Sequence, residues 1–138
     1  MIEKSVFMLK PEGMKYKEEI MSTIEKAGIP IKEWRNLTLD EKHLRKLYPN
    51  VSGEGWRKVQ KHLLNKEVLV AIVEGEDVIN KLYKTCGEET KIFMCAPSSI
   101  RQKFKDIAHD SYGNIIHRAK NQKEAEEHIM LFFPPERT

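Results

Sequence analysis

The sequence predicts an α+β fold in which helices pack on a β-sheet as a two-layer sandwich. Two observations favour it: an uninterrupted run of mostly branched apolar residues at positions 68–73, and helix-type apolar spacing between strand-like segments. The length of 138 residues suits one domain spanning residues 1–138, large enough to bury an apolar core. A β-α-β-β-α-β order of elements is one arrangement consistent with this pattern.

The first half of the chain begins with a short apolar run at residues 5–9, which Pro11 and Gly13 end, and this predicts a buried strand. Apolar residues at helical spacing then predict an amphipathic helix over residues 20–27. A loosely alternating segment over residues 29–39 predicts a second strand. Asp40 is expected to cap a short helix that ends near residue 47.

The second half continues with a helix whose apolar face is marked by Trp56, Val59 and Leu63, followed by the central strand at residues 68–73. Asp77 is predicted to cap the next helix, which stops before Gly87. Residues 88–99 have no clear period and predict a long, functional loop. The remaining predicted elements are a short strand at residues 114–116, a helix opened by a capping box at residues 121–124, and a final strand at residues 129–133.

Composition narrows the classes of function. The net charge is +3, with 24 basic residues interspersed among 21 acidic ones, so nucleic-acid binding is disfavoured. Cys86 and Cys95 are too few for a disulfide framework and too far apart for a cysteine zinc site. The N-terminus does not resemble a signal peptide, and no apolar run is long enough to span a membrane. We therefore expect a cytoplasmic protein with no membrane association.

Three side chains are candidates for chemistry, two of them because they lie at the ends of predicted strands. His117 follows the short strand at residues 114–116, and a strand end holds a reactive imidazole rigidly. Lys10 follows the first strand, and Arg101 follows a Pro-Ser-Ser-Ile segment. For each cation two explanations stay open, a solvent-exposed surface charge and a ligand for phosphate.

Considered together, these residues resemble motifs of the nucleoside diphosphate kinase family, and the likeness covers nearly the whole chain. The resembling segments, in chain order, are VFMLKPEG at 6–13, VAIVEG at 70–75, CGE at 86–88, PSSIR at 97–101, NIIH at 114–117 and IMLFFPPE at 129–136. The resemblance implies a ferredoxin-like sandwich with an antiparallel sheet. It also implies a homo-oligomer whose partners are nucleoside di- and triphosphates.

The same resemblance implies a ping-pong transfer of the γ-phosphate of a nucleoside triphosphate to a nucleoside diphosphate, through a phosphohistidine at His117. The residues implied to bind the nucleotide and its phosphates are Lys10, Tyr48, Trp56, Thr90, Arg101 and Asn114. An equally good explanation of Trp56 is that it is a helix residue packed in the protein core. Mg²⁺, brought by ATP or another triphosphate, would bridge phosphate oxygens without a metal site built by the protein.

Four departures from the family pattern leave a second interpretation open. Where the family has Gly-Ser-Asp after its histidine, this chain has Arg118, Ala119 and Lys120. The family glutamate that hydrogen-bonds the imidazole corresponds to His128, its phosphate-binding arginine to Tyr83, and its loop threonine to Glu89 or Thr90. The alternative to an active kinase is therefore a catalytically weak or inactive nucleotide-binding or protein-interaction module on the same fold.

Overall fold

The computed structural model describes residues 2–87, 96–107 and 115–135, and these contain four strands and six α-helices. The elements in chain order are β1 (Ile2–Leu9), a 3-10 helix (Pro11–Tyr16), α1 (Lys17–Lys26), β2 (Ile31–Thr38), α2 (Glu41–Leu47), α3 (Gly53–Leu63), β3 (Glu67–Glu76), α4 (Val78–Cys86), α5 (Ile100–Lys103), β4 (Ile116–Arg118) and α6 (Gln122–Phe132). No helix in the described part of the chain is long and apolar enough to cross a membrane.

The strands form one antiparallel sheet in the order β2-β3-β1-β4. Strand β1 pairs along its whole length with residues 69–76 of β3, with Val6 opposite Ile72 and Leu9 opposite Leu69. The short strand β4 pairs with the end of β1, which places His117 opposite Met8. This order confirms the predicted ferredoxin-like α+β class.

Both faces of the sheet are covered by helices. On one face, Phe7, Leu9 and Ala71 pack with residues of α1 and α4; on the other, Met8 and Val70 pack with residues of α2, α3 and α6. Burial on both sides explains why residues 68–73 are apolar without alternation. Each fully buried large apolar side chain in these two clusters contributes about 1.5–3 kcal/mol relative to an exposed one.

The predicted final strand at residues 129–133 is wrong, because most of this segment is the end of α6. Ala125, His128 and Phe132 are the buried positions of that helix, and their spacing of three and four residues is helical. A short apolar run alone does not distinguish a strand from the buried face of a helix. The helix that begins after Asn121 therefore continues through the run instead of ending before it.

Helix caps follow the sequence in part. Asp40 caps α2 as predicted, since its carboxylate accepts from His43 N at 2.8 Å. Asn121 caps α6 by accepting from Glu124 N at 2.9 Å, although the Glu124 carboxylate then accepts from Lys120 N instead of Asn121 N. Asp77 precedes α4 as predicted, but with φ of 55° it makes no side-chain cap.

The start of α4 is held from another element. Glu3 on β1 accepts a hydrogen bond from Ile79 N at 3.3 Å, which supplies the contact that Asp77 does not make. A carboxylate near a helix N-terminus also stabilises the helix dipole. Most of the predicted loop at residues 88–99 lies outside the described residues, and the part that is described leads into α5, capped by Ser99.

Candidate active site

His117 lies in the middle of β4, at the end of the sheet where β1 gives way to the 3-10 helix. Lys10 N donates to Ile115 O at 3.0 Å, so a backbone hydrogen bond links the residue after β1 to the residue before β4. The His117 side chain is half-buried, and its neighbours Ile116 and Arg118 are buried. Because side chains alternate along a strand, Arg118 points to the opposite face from His117.

The imidazole of His117 meets a second imidazole from α6. Its Nε2 atom lies 3.3 Å from Nδ1 of His128, and the two ring centroids are 5.0 Å apart. His128 is only 4% exposed and has the ring of Phe132 behind it at 6.2 Å. Packing therefore fixes the position of His128, and His128 in turn holds one nitrogen of His117.

Two buried cations approach this end of the sheet from different elements. Lys10, at the end of β1, and Arg101, in α5, are 2% and 4% exposed. Arg101 donates from Nε and Nη2 to Ile116 O at 3.2 and 3.0 Å, so its guanidinium is fixed to the residue before His117. Two cation sites predicted from the sequence are thus brought to the predicted nucleophile.

Arg118 adds a third buried cation on the other face of β4. Its Nε and Nη2 atoms donate to Gly87 O at 3.2 and 2.9 Å, and its guanidinium carbon lies 4.4 Å from the centroid of the Tyr83 ring. Arg101 Nη1 also donates to Gly87 O, at 3.4 Å. Arg118 therefore contacts the residue that corresponds to the family arginine, a contact that the sequence did not reveal.

Burial and charge together lower the basicity of the histidine pair. Burial lowers the pKa of His117 well below its ordinary value, and positive charge at His128, Lys10, Arg101 and Arg118 lowers it further. Burial also lowers the pKa of His128, against a smaller opposing effect of Glu124 and Glu127. Both rings are therefore neutral near pH 7, and a neutral imidazole has a lone pair available for bonding.

Tyr48 completes the group around His117. Tyr48 is the residue that follows α2, and the centroid of its ring is 6.4 Å from that of His117 and 6.0 Å from Lys10 Nζ. The structure thus brings Lys10, Tyr48, Arg101 and His117 to one end of the sheet.

The other predicted binding residues are not all at this end of the sheet. Trp56 on α3 packs in the same apolar cluster as Tyr48, and one face of its ring is covered by the guanidinium of Arg45 at 3.6 Å. This placement is compatible with both explanations of Trp56. Thr90 and Asn114 lie outside the described residues.

A carboxylate that the sequence analysis did not single out also lies beside the histidines. His117, Glu124 and His128 each offer one metal-ligating atom within 4.8 Å of the other two. Glu124 and His128 are four residues apart on α6 and therefore share a face. That spacing was visible in the sequence, but only the packing of α6 against β4 brings the pair to His117.

Cys86 ends α4 beneath the two arginines. It is fully buried, and burial raises the pKa of the thiol to about 12 despite the opposing charges of Arg101 and Arg118. A protonated, inaccessible thiol is neither a nucleophile nor a metal ligand. Cys95 lies outside the described residues.

Comparison with known proteins identifies the family. The family model described as nucleoside diphosphate kinase matches residues 3–138. This chain belongs to the nucleoside diphosphate kinase family. The activity of that family is nucleotide phosphotransfer, which agrees with a histidine surrounded by buried cations.

Relatives with the same description extend over almost the full chain. The nucleoside diphosphate kinase of Methanocaldococcus jannaschii is 30% identical over 136 residues, which cover 96% of this chain and 94% of that protein. The nucleoside diphosphate kinase of Metallosphaera sedula is 26% identical, with the same two coverages.

Solved structures of the family share the fold. The nucleoside diphosphate kinase of Encephalitozoon cuniculi superposes with a TM-score of 0.84 at 21% identity, covering 96% of this chain and 90% of that one. A transition-state mimic of the enzyme from Borrelia burgdorferi, with bound vanadate and ADP, superposes with a TM-score of 0.80 at 23% identity, covering 96% of this chain and 87% of that one.

Proposed function

We propose that this chain transfers the γ-phosphate of a nucleoside triphosphate to a nucleoside diphosphate through a phosphohistidine at His117. The observation that carries the proposal is the setting of the imidazole. One ring nitrogen is held 3.3 Å from His128, while the buried cations Lys10 and Arg101 lie close enough to influence its charge. Phosphoryl transfer depends mainly on positioning and on stabilising negative charge, and this arrangement provides both.

The contact with His128 supports Nδ1 of His117 as the reactive nitrogen. If the hydrogen on Nε2 of His117 is donated to Nδ1 of His128, the lone pair of His117 lies on Nδ1. In the proposed first step, Nδ1 forms a bond to the γ-phosphorus, and the bond from that phosphorus to the bridging oxygen breaks. The nucleoside diphosphate then leaves. In the second step, a terminal oxygen of another diphosphate takes the phosphoryl group, and the P–N bond breaks.

Charge around His117 matches the chemistry of phosphate. Lys10 and Arg101 are cations, so they favour phosphate oxygens over a bare metal ion. Mg²⁺ bound to the nucleotide would bridge phosphate oxygens and neutralise part of their charge. We assign Lys10 and Arg101 to the transferring phosphate and Tyr48 to the neighbouring phosphates, with Trp56 as a stacking surface for the base. Thr90 and Asn114 complete the proposed binding set on the strength of the resemblance alone.

The alternative, a nucleotide-binding or interaction module with little catalytic activity, is favoured by one observation. Arg118 donates to Gly87 O and covers the ring of Tyr83, at the position where the family has a phosphate-binding arginine. A guanidinium engaged in this way has less freedom to follow a phosphate through the reaction. The module would bind nucleotide without forming a covalent intermediate.

The proposal also includes self-association, as the family resemblance implies. Strand β2 is an edge of the sheet, and Trp34 on it is 47% exposed. A long edge strand that carries an exposed aromatic residue favours contact with another chain. Light scattering coupled to gel filtration should give a mass above one chain, and Trp34→Lys should reduce it. A monomeric wild type would remove this part of the proposal alone.

The test of the main proposal is intact mass after incubation with ATP and Mg²⁺. We expect an acid-labile gain of one phosphate that is discharged by added GDP, because a phosphorus–nitrogen bond is labile in acid. His117→Asn, which keeps a polar side chain of similar size, should show no gain. His109→Asn is the matched histidine control and should behave as the wild type.

The outcomes separate the two functions. Phosphorylation of the His117→Asn variant, or an acid-stable adduct, would contradict the assignment of His117. ATP binding without any adduct would favour the non-catalytic module.

A further inference from the structure

The cluster of His117, Glu124 and His128 is chemically distinct from the cations on the other sides of His117. It consists of two imidazoles and one carboxylate, each offering a ligand atom within 4.8 Å of the others. Two histidines and one carboxylate are a recurrent protein ligand set for zinc, with a fourth position open to water.

The spacing of the two nitrogens fits a tetrahedral ion. Nε2 of His117 and Nδ1 of His128 are 3.3 Å apart. Two nitrogens at Zn–N distances of about 2.0–2.1 Å in a tetrahedral site are separated by roughly 3.3–3.4 Å. The pair therefore needs little rearrangement to bind an ion in place of the hydrogen between them.

The surroundings also orient the third ligand. The carboxylate of Glu124 accepts from Lys120 N at 3.2 Å, and this contact fixes one oxygen. Glu124 is half-buried and His128 is buried, so two of the three ligands are held by packing of α6. Partners of this kind hold ligand groups in place in metal sites.

We propose that His117, Glu124 and His128 form a binding site for a divalent transition-metal ion, for which Zn²⁺ is the best match. Imidazole nitrogens suit Zn²⁺ and other late first-row ions, whereas Mg²⁺ prefers an all-oxygen shell. The site therefore discriminates against the ion that accompanies the nucleotide. His128 is essential to it, because a glutamate there would leave a single imidazole.

Metal binding at this site would prevent His117 from attacking phosphate, a consequence that rests on the proposed function. The metal bonds to Nε2, which gives up its hydrogen, and the neutral ring then carries its hydrogen on Nδ1. The lone pair needed to attack phosphorus is no longer available. The site therefore couples the availability of zinc to phosphotransfer without touching the nucleotide.

The direct test uses metal-free protein without nucleotide. Zn²⁺ titrated by calorimetry should bind with one ion per chain, and Co²⁺ should give the intense visible absorption of a tetrahedral site. Glu124→Gln and His128→Gln should each weaken Zn²⁺ binding by roughly 10- to 100-fold. Glu127→Gln, which removes a neighbouring carboxylate on the same helix, should bind as the wild type does.

Several results would overturn the proposal. Equal affinity in the wild type, Glu124→Gln and His128→Gln would place the ion elsewhere, for instance at Cys95. A weak octahedral Co²⁺ spectrum, or no Zn²⁺ binding at all, would also contradict the proposed site. Circular dichroism of both variants checks their folding, and either folded variant is sufficient for the comparison.

The inhibitory consequence is measured separately, by phosphohistidine formation with ATP and Mg²⁺. Stoichiometric Zn²⁺ should block the adduct in the wild type but not in Glu124→Gln at the same concentration. Absence of the adduct in metal-free protein would contradict the proposed function, while the calorimetry would still decide the metal site. Equal inhibition of both proteins would refute the link between this site and catalysis.

Discussion

Nε2 of His117 lies 3.3 Å from Nδ1 of His128, so a strand residue and a helix residue share one hydrogen between two imidazoles. The family glutamate at the second position would meet the imidazole with a negative charge, whereas His128 meets it with a neutral ring nitrogen. In the proposed reaction, His128 would orient His117 but would stabilise the ring less than a carboxylate does when the ring becomes positive on bonding to phosphorus.

We expect His128→Leu to lower kcat/KM for phosphotransfer by about 10- to 100-fold, because His117 would lose the group that fixes its orientation. His128→Gln should retain most of the activity, since its amide oxygen can still accept the hydrogen from Nε2. Steady-state kinetics with ATP and a diphosphate acceptor measure both. Equal rates for the two variants would mean that His128 does not position His117.

The buried histidines should make folding stability depend on pH. Burial lowers the pKa of His117 and of His128, so below about pH 6.5 the unfolded chain binds protons that the folded chain does not. Stability is therefore full above that pH and falls as the pH falls toward the folded pKa values. Urea midpoints at about pH 7.5 and pH 5.5 measure this above the main range of carboxylate titration.

His128→Gln is the control for that pH effect, because it removes one of the two proton-linked groups. The fall in the urea midpoint between the two pH values should be smaller than in the wild type. A wild-type midpoint that does not change would show that neither ring is held neutral by folding.

The helical end of the chain can be tested with two neighbouring residues. Phe132 is fully buried and Met130 is 56% exposed, although in a strand they would face the same side. Phe132→Ala should therefore cost about 3–5 kcal/mol of unfolding free energy. Met130→Ala should change the unfolding free energy by no more than about 0.5 kcal/mol. Similar losses from both variants in urea denaturation would indicate strand-like burial.

Gly13 allows the turn after β1 to approach the start of β4. A Cβ built there would lie 2.7 Å from Ile115 Cγ1 and 3.1 Å from Ile115 O. Gly13→Ala should cost about 1–3 kcal/mol through overpacking, and it should reduce phosphotransfer because Lys10 would move from His117. The double variant Gly13→Ala/Ile115→Ala should lose less unfolding free energy than the two single variants lose when added together. Strict additivity would show that the two residues do not meet.

Most of the fold was predictable because its signals are local. The apolar run at residues 68–73, the helical spacing near Ile20 and the cap at Asp40 each depend on side chains close in sequence. The segment at residues 129–133 was predicted wrongly because its apolar run carries no period, and burial of Phe132 against the sheet decides its conformation. Asp77 occupies its predicted position, yet Glu3, distant in sequence, satisfies Ile79 N.

The order of motifs in the sequence was sufficient to determine the family, and it singled out Lys10, Arg101 and His117 as candidates for chemistry. Only the tertiary structure decided how these groups meet. The packing of α6 on β4 places His128 and Glu124 beside His117, and strand alternation directs Arg118 to Gly87. Spacing along a chain specifies helix faces and strand faces, but contacts between elements depend on how their buried surfaces pack.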